Sequence, residues 1–334
     1  MLQRILSVIL IIAAAVSASA AADKISGAGA SFPAPLYYDW AFNYQKATKN
    51  RVNYQSIGSG GGIKQISNRI VDFGASDKPL KSKALVEKKL LQFPAAIGSI
   101  VVAHHLPGVA DEKLKLKNAT VADIFSGNIT KWNDPAIKAD NAGLALPDEK
   151  IIVVRRSDGS GTTYNFTYYL SKSSVDWSHR FGTGKAIDWA VGIGGKGNEG
   201  VANLLKQTPF SIGYIETAYK DKSKLAAATL QSADGQWVSA REANFKAAAK
   251  YAGWTKKDHF YTMLALQPGE TSYPIVAATF ILLPLEHTAM NKKVIAFFDY
   301  AFKNGDAAAK RLGYIPLPDE TKSMVREYWS ENIK

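Results

Sequence analysis

The chain has no cysteine, and only five histidines and four methionines among its 334 residues. Without cysteine there can be no disulfide, no thiolate metal site, and no lipid-anchoring cysteine of the kind that follows a bacterial lipoprotein signal. The histidines do not cluster. His104 and His105 are neighbours on a run that reads as a strand, where successive side chains point to opposite faces and do not share one metal. His179, His259 and His287 stand alone. No metal site and no cofactor is expected. Acidic residues are also scarce, 29 against 41 Lys and Arg, for a net charge of +12. The excess lies in scattered pairs such as Lys88-Lys89, Lys256-Lys257 and Lys292-Lys293, which read as solvated faces. It can also be read as attraction of anions or acidic surfaces. There is no arginine-rich run and no interleaved aromatic and basic stripe, so nucleic acid is not an expected partner.

After the first residues no segment has the unbroken apolar length of a membrane helix. Arg4, the apolar stretch Ile5 to Ala15 and the small residues Ala18-Ser19-Ala20 have the order of a secretory signal. Residues 1–21 are assigned to it, with cleavage expected near Ala20 to Ala22. The apolar stretch is short for a bilayer, and Asp23-Lys24 follow it. The expected location is outside the cytoplasm, in a periplasm. The remainder, in a chain that is 46% hydrophobic, is long enough for about two domains.

The most informative stretch is Arg155-Arg156-Ser157-Asp158-Gly159-Ser160-Gly161-Thr162-Thr163. A β-rich run, Ile151 to Val154, precedes it, and a helical run, Tyr164 to Leu170, follows. A strand–turn–helix junction aims unpaired N–H groups at one point, where the helix dipole favours an anion. Arg156 adds a planar fork suited to a tetrahedral oxyanion. An ordinary capped turn is the competing reading. Two further Gly/Ser junctions lie upstream. Ser26 to Pro35 leads into a helical pattern with Leu36, Trp40 and Tyr44 on one face, placing Ser31 at a helix N-terminus. Gly58-Ser59-Gly60-Gly61-Gly62 follows the strand-like Val52, Tyr54 and Ser56, and leads into Ile63, Ile66 and Ile70 at helical spacing. Neither is a nucleotide motif: Phe32 fills the third glycine position of the first, and Ile63-Lys64-Gln65 breaks the second.

A short strand, Val71 to Gly74, places Asp77 at a carboxyl end, where open α/β sheets bind ligands. A turn or capping aspartate is the alternative. Long apolar strands are expected at Ile97 to Ala103 and Ile275 to Leu283. A glycine-rich loop is expected over Gly192 to Gly200 with a helix from Val201, and Ser239 and Glu242 have the spacing of a capping box for a helix to Tyr251. Strands alternate with helices throughout, so the class is α/β.

Ser31, Ser59, Ser160 and Arg156 are all donors, whereas Asp77 is an acceptor. A carboxylate repels a fully ionised anion and suits one that keeps a proton. Phosphate does so at neutral pH and sulfate does not, so the set favours phosphate. Asp158 is placed to hold the Arg156 guanidinium. An enzyme acting on phosphate esters, with Asp77 and Ser59 as its pair, and a binding protein for sulfate, molybdate or a phosphorylated metabolite remain as alternatives.

Six stretches in order, namely Gly27 to Pro35, Gly58 to Gly62, Asp72 to Asp77, Arg155 to Thr162, Gly194 to Asn198 and Ile212-Gly213-Tyr214, resemble the periplasmic phosphate-binding proteins of Pst phosphate ABC transporters. The resemblance covers essentially the whole chain after the signal. It implies a two-lobed periplasmic binding protein fold of type II (a Venus-flytrap) with crossing hinge strands. Lobe I would comprise residues 22–102 plus 277–334, and lobe II residues 103–276. It implies no enzyme activity. Inorganic phosphate would be bound by Ser31 and the Phe32 N–H, Ser59 and Asp77 from one lobe, and by Arg156, Ser160, Gly161 and Thr162 from the other. Partners would be phosphate and the membrane permease subunits of the transporter, with the protein itself a monomer.

Overall fold

The computed structural model describes residues 23–333. The expected signal segment, 1–21, lies outside them. In chain order the strands are β1 (Lys24–Gly29), β2 (Arg51–Ser56), β3 (Phe73–Ser76), β4 (Leu90–His105), β5 (Lys115–Leu116), β6 (Ile152–Arg156), β7 (Ile193–Gly195), β8 (Ser211–Glu216), β9 (Ala226–Ala227), β10 (Thr229–Gln231), β11 (Trp237–Val238) and β12 (Val276–Pro284). The large mixed sheet has the order β2-β1-β3-β12-β4-β8-β6-β7, with β9 also on β4; β5, β10 and β11 form a small separate sheet.

β4 organises the sheet. Residues 90–99 pair antiparallel with β12, whereas Ile100 to His105 pair with β8. One strand therefore serves two groups. β2, β1 and β3 run parallel on one side, and β8, β6 and β7 run parallel on the other. The sheet thus falls into two parallel groups joined through β4 and β12, a two-lobed α/β architecture. Every β4 residue except His105 is buried, as expected for a strand covered on both faces. The strand starts at Leu90, well before the expected Ile97. Pro94 and Gln92 concealed that part, because proline interrupts a sheet ladder. The register against β12 shifts between Thr279 and Phe280, which face Ala96 and Pro94, leaving Ala95 without an opposite residue. Gln92 is satisfied by accepting from Leu80 N at 2.7 Å and donating to His259 O at 3.0 Å.

The helix Ala34–Thr48 buries Leu36, Tyr37, Trp40, Ala41 and Tyr44, the face read from the sequence, and has Pro35 in its first turn. Tyr37, Tyr54, Phe73, Phe93 and Phe298 pack as mutually edge-on and stacked rings beneath it. In the other half Phe166 stacks on Tyr214 at 4.2 Å between centroids, and Trp189 stacks on the same tyrosine.

Several expected details differ. The cap of the first helix is Pro33, so Ser31 stands in the turn ahead of it. Ile70 lies beyond the helix Gly58–Ser67 and is exposed, because the chain turns back through Asn68 and Arg69, the latter at φ 58°. The third strand is Phe73–Ser76 rather than Val71 to Gly74, which still leaves Asp77 directly after it. The stretch after Gly192 is an edge strand, β7, and a helix that opens at Gly197 rather than Val201. Glycines contribute no periodic side chains from which to read that turn. Ser239 caps nothing with its side chain: the helix Glu242–Ala249 starts at Glu242, which a capping box would need three residues inside, and the Ser239 carbonyl accepts from Asn244 Nδ2.

Candidate functional site

The carboxyl ends of β1, β2 and β3 deliver Ser31, Ser59 and Asp77 to one place, and β6 delivers Arg156 opposite them. All four are nearly fully buried. Ser59 lies in the first turn of the helix Gly58–Ser67, and its Oγ accepts from the Asp77 N–H at 3.1 Å. Its contact with Asp77 Oδ2 is longer, 3.4 Å. Phe32 is locked by Tyr314, whose ring meets it edge-on and whose hydroxyl donates to Phe32 O at 2.6 Å.

Arg156 is held in two directions. Nε and Nη2 donate to the two Asp158 oxygens at 2.7 and 2.5 Å, and Nη1 donates to Thr162 Oγ1 at 3.3 Å. Asp158 Oδ1 also accepts from Gly197 N–H at 3.0 Å. Partial burial pushes the Asp158 carboxyl up, but the Arg156 hydrogen bonds and charge overcome this and hold it below its ordinary value. The expectation that Asp158 orients the guanidinium matches this geometry. Ser160 caps the helix Gly161–Ser173, its Oγ accepting from Thr163 N–H at 2.9 Å.

The hydroxyls share a feature. Ser31 Oγ accepts from both the N–H and Nδ2 of Asn198, at 3.0 and 2.9 Å. Thr162 Oγ1 accepts from Arg156 and from Asn198 Nδ2 at 3.2 Å. Ser160 Oγ accepts from Thr163. In each case a built-in N–H group occupies an acceptor lone pair, so the hydroxyl hydrogen remains as what the group can offer. The site is therefore a set of donors around one acceptor, Asp77. Burial pushes the Asp77 carboxyl up to about 7, against the opposing pull of the Thr279 hydroxyl, the Arg156 charge and Ser59. Its Oδ1 has no hydrogen-bond partner among the described residues.

The two halves touch at this site. Gly60 N–H donates to Gly159 O at 2.7 Å, Asn198 links Ser31 to Thr162, and Asn165 Nδ2 joins Asp77 O to Gly161 O at 2.7 and 3.0 Å. A Cβ on Gly161 would stand 2.4 Å from Ser59 Oγ and 2.6 Å from Asp77 Oδ2. All of the expected residues, Ser31, Phe32, Ser59, Asp77, Arg156, Asp158, Ser160, Gly161 and Thr162, thus lie in one cluster or on its immediate support. Sequence reasoning missed Asn198, Asn165, Thr279 and Tyr214. Tyr214 accepts from Arg156 N–H at 3.2 Å and shares a hydrogen bond with Thr163 Oγ1 at 2.7 Å. Asn198 carried a signal, a polar residue inside the glycine-rich stretch Gly192 to Gly200 and at the end of the family-like stretch Gly194 to Asn198, but nothing in the sequence connects it to Ser31. No group of three or more metal-ligating side chains occurs among the described residues. A 600 Å³ cavity lined by His104, Asp111, Lys206 and Lys220 contains none of the expected residues.

This fold and this cluster of donors at the strand ends define the class of the protein, a two-lobed binding protein for a small anionic ligand. Residues 14–304 match the family model described as a PBP superfamily domain. The chain is 50% identical to the phosphate-binding protein PstS of Haemophilus influenzae, over 94% of this chain and 95% of that one. It is also 50% identical to that of Pasteurella multocida, over 94% and 92%. The solved phosphate-binding protein of Stenotrophomonas maltophilia shares the fold with a TM-score of 0.67 at 22% identity, over 92% of this chain and 94% of that one. The chain belongs to the PstS family of phosphate-binding proteins within the PBP superfamily.

Proposed function

We propose that the protein binds inorganic phosphate in the cleft and delivers it to the permease subunits of an ABC importer. The observation that carries this reading is Asp77: a buried carboxyl with one unpartnered oxygen, the sole acceptor in a ring of donors. A tetrahedral anion that still bears a proton satisfies every group at once. The proton goes to Asp77, and the remaining oxygens take hydrogen bonds from the Ser31, Ser59, Ser160 and Thr162 hydroxyls, the Phe32 and Gly161 N–H groups and the Arg156 guanidinium. Two relatives that match along nearly their whole length are named for phosphate binding.

The lobes in this reading are residues 22–102 with 277–334, and 103–276. The change of β4 partner at Ser99 and Ile100 supports a crossing there. The protein acts without catalysis, as a monomer in the periplasm, after removal of residues 1–21 near Ala20 to Ala22. Charge-assisted hydrogen bonds are worth about 1.5–3 kcal/mol each. Several of them support a dissociation constant of about 1 μM after desolvation and closure. Calorimetric titration with phosphate, arsenate and sulfate tests the reading. Phosphate and arsenate should bind comparably and sulfate should not; equal binding of sulfate would remove Asp77 from its role.

A further inference from the structure

A second polar cavity, of 580 Å³, opens beside the cleft and is lined by Lys78, Lys81, Tyr164, Tyr168, Thr183 and Tyr261. Both halves build it. Lys78 and Lys81 lie between β3 and the helix Ser82–Lys88, and Lys78 directly follows Asp77. Tyr164 and Tyr168 lie on the helix that Ser160 caps. The Lys78 ammonium sits 4.9 Å from the centroid of the Tyr164 ring, across the gap between the halves. Lys185 does not line the cavity but lies close by: its carbonyl accepts from the Ser160 N–H at 2.9 Å, and the Lys78 charge acts on its ammonium. Burial and then Lys81 push Lys78 down, while burial and then Lys78 and Lys88 push Lys185 down.

We propose that this lysine and tyrosine cavity is an outer anion site, which holds a phosphate dianion at the lip before it passes inward to Asp77 and Arg156. The proposal rests on phosphate being the cargo. The inner site attracts an anion poorly from a distance, since Arg156 is neutralised by Asp158 and Asp77 adds no positive charge. The lip supplies the missing field. Its lysines stand against low-dielectric tyrosine walls, an arrangement that focuses potential and raises association rates by about 10 to 10³-fold. Solution ions screen such a field beyond about 8 Å at physiological salt, so a capture site works only if it lies next to the final one, as Lys78, the residue after Asp77, does. An anion held at Lys78 and Lys81 also offsets the repulsion that the Lys78 charge exerts on Lys185.

Stopped-flow association of phosphate with the chain lacking residues 1–21, over a range of salt, tests this. The Lys78→Gln/Lys81→Gln/Lys185→Gln variant should associate about ten-fold more slowly at low salt and with a flatter salt dependence, while dissociation stays within about two-fold. The corresponding Lys→Arg variant should keep fast association. Lys81→Gln alone, at an exposed position, should show a smaller loss and serves if the triple variant folds poorly. An association rate and salt slope equal to those of the unmodified chain would overturn the proposal. So would slower dissociation with association unchanged, because the lysines would then act only by opposing closure. Titration of the unmodified chain separates the two ideas: no heat with phosphate removes phosphate as cargo, whereas normal heat with unaltered variant kinetics removes the outer site alone.

Discussion

At the scale of residues, Arg156 and Asp77 make opposite demands on the ligand, and each demand is measurable. Arg156→Ala removes a buried guanidinium and leaves Asp158 without its partner, so phosphate affinity should fall more than ten-fold by calorimetry; full-strength binding would remove Arg156 from the site. Asp158→Asn only loosens the fork and should weaken binding less than Arg156→Ala does. Asp77→Asn keeps a carbonyl acceptor and gains an amide donor, so phosphate binding should change modestly while sulfate begins to bind. Continued complete rejection of sulfate would place discrimination elsewhere. The same carboxyl makes the ligand-free protein sensitive to pH. Its ordinary value is 3.8 and burial takes it to about 7. Between those values the folded state holds a proton that the unfolded chain has released, so stability falls as pH rises through that window. Glu216, also buried and pushed well up by that burial, acts in the same direction. The thermal midpoint should therefore decline across this range, and less steeply in Asp77→Asn; an identical slope would show that Asp77 does not titrate there. The clustering of Ser31, Ser59, Asp77 and Arg156, the proposed ligand residues, was legible because strand ends, glycines and hydroxyls are local signals. Asn198 and Thr279 were not, since the link of Asn198 to Ser31 and the nearness of Thr279 to Asp77 each join positions more than a hundred residues apart.

At the scale of elements, the helix Gly161–Ser173 shows how closely the halves approach. Gly161 has no room for a side chain against Ser59 and Asp77, which belong to the other half. Gly161→Ala should therefore leave the fold intact in the open form yet obstruct closure. Phosphate affinity should drop at least ten-fold with the ligand-free thermal midpoint little changed; a large fall in that midpoint would mean that the contact belongs to the fold itself. Elements with strong periodicity, such as the helix Ala34–Thr48, could be read from sequence almost to their ends. The errors fell where tertiary contacts override local patterns. Leu90 to Ala96 joins β4 despite Pro94 because a bulge accommodates it, and the helix Gly197–Gln207 opens on glycines because Asn198 is fixed by Ser31 and by the Glu216 N–H at 3.0 Å.

At the scale of the whole molecule, ligand groups on two facing halves bind an ion best when the cleft is closed, so phosphate should shift the population toward closure. Small-angle scattering should show a more compact particle with phosphate, and the thermal midpoint should climb with phosphate concentration. An unchanged profile at saturation would mean that closure precedes binding or that one half holds the ion alone. The two-lobed α/β architecture was legible from strand and helix alternation together with family resemblance; the pairing order of the strands was not, because it is set by contacts distant in sequence. That order has a consequence for how the chain folds as it is made. β3 and β4 are not neighbours: β12, from Val276 onward, lies between them. Until the last sixty or so residues emerge, β1, β2 and β3 have an open edge, and β4 waits with one side unpaired. Residues between β4 and β12 are contiguous and can condense first, whereas the N-terminal strands depend on late, long-range closure, the slow and aggregation-exposed kind of step. The chain's first-made strands are thus among the last to find their final place, and nascent chains stopped short of Val276 should be the ones that recruit chaperones most strongly.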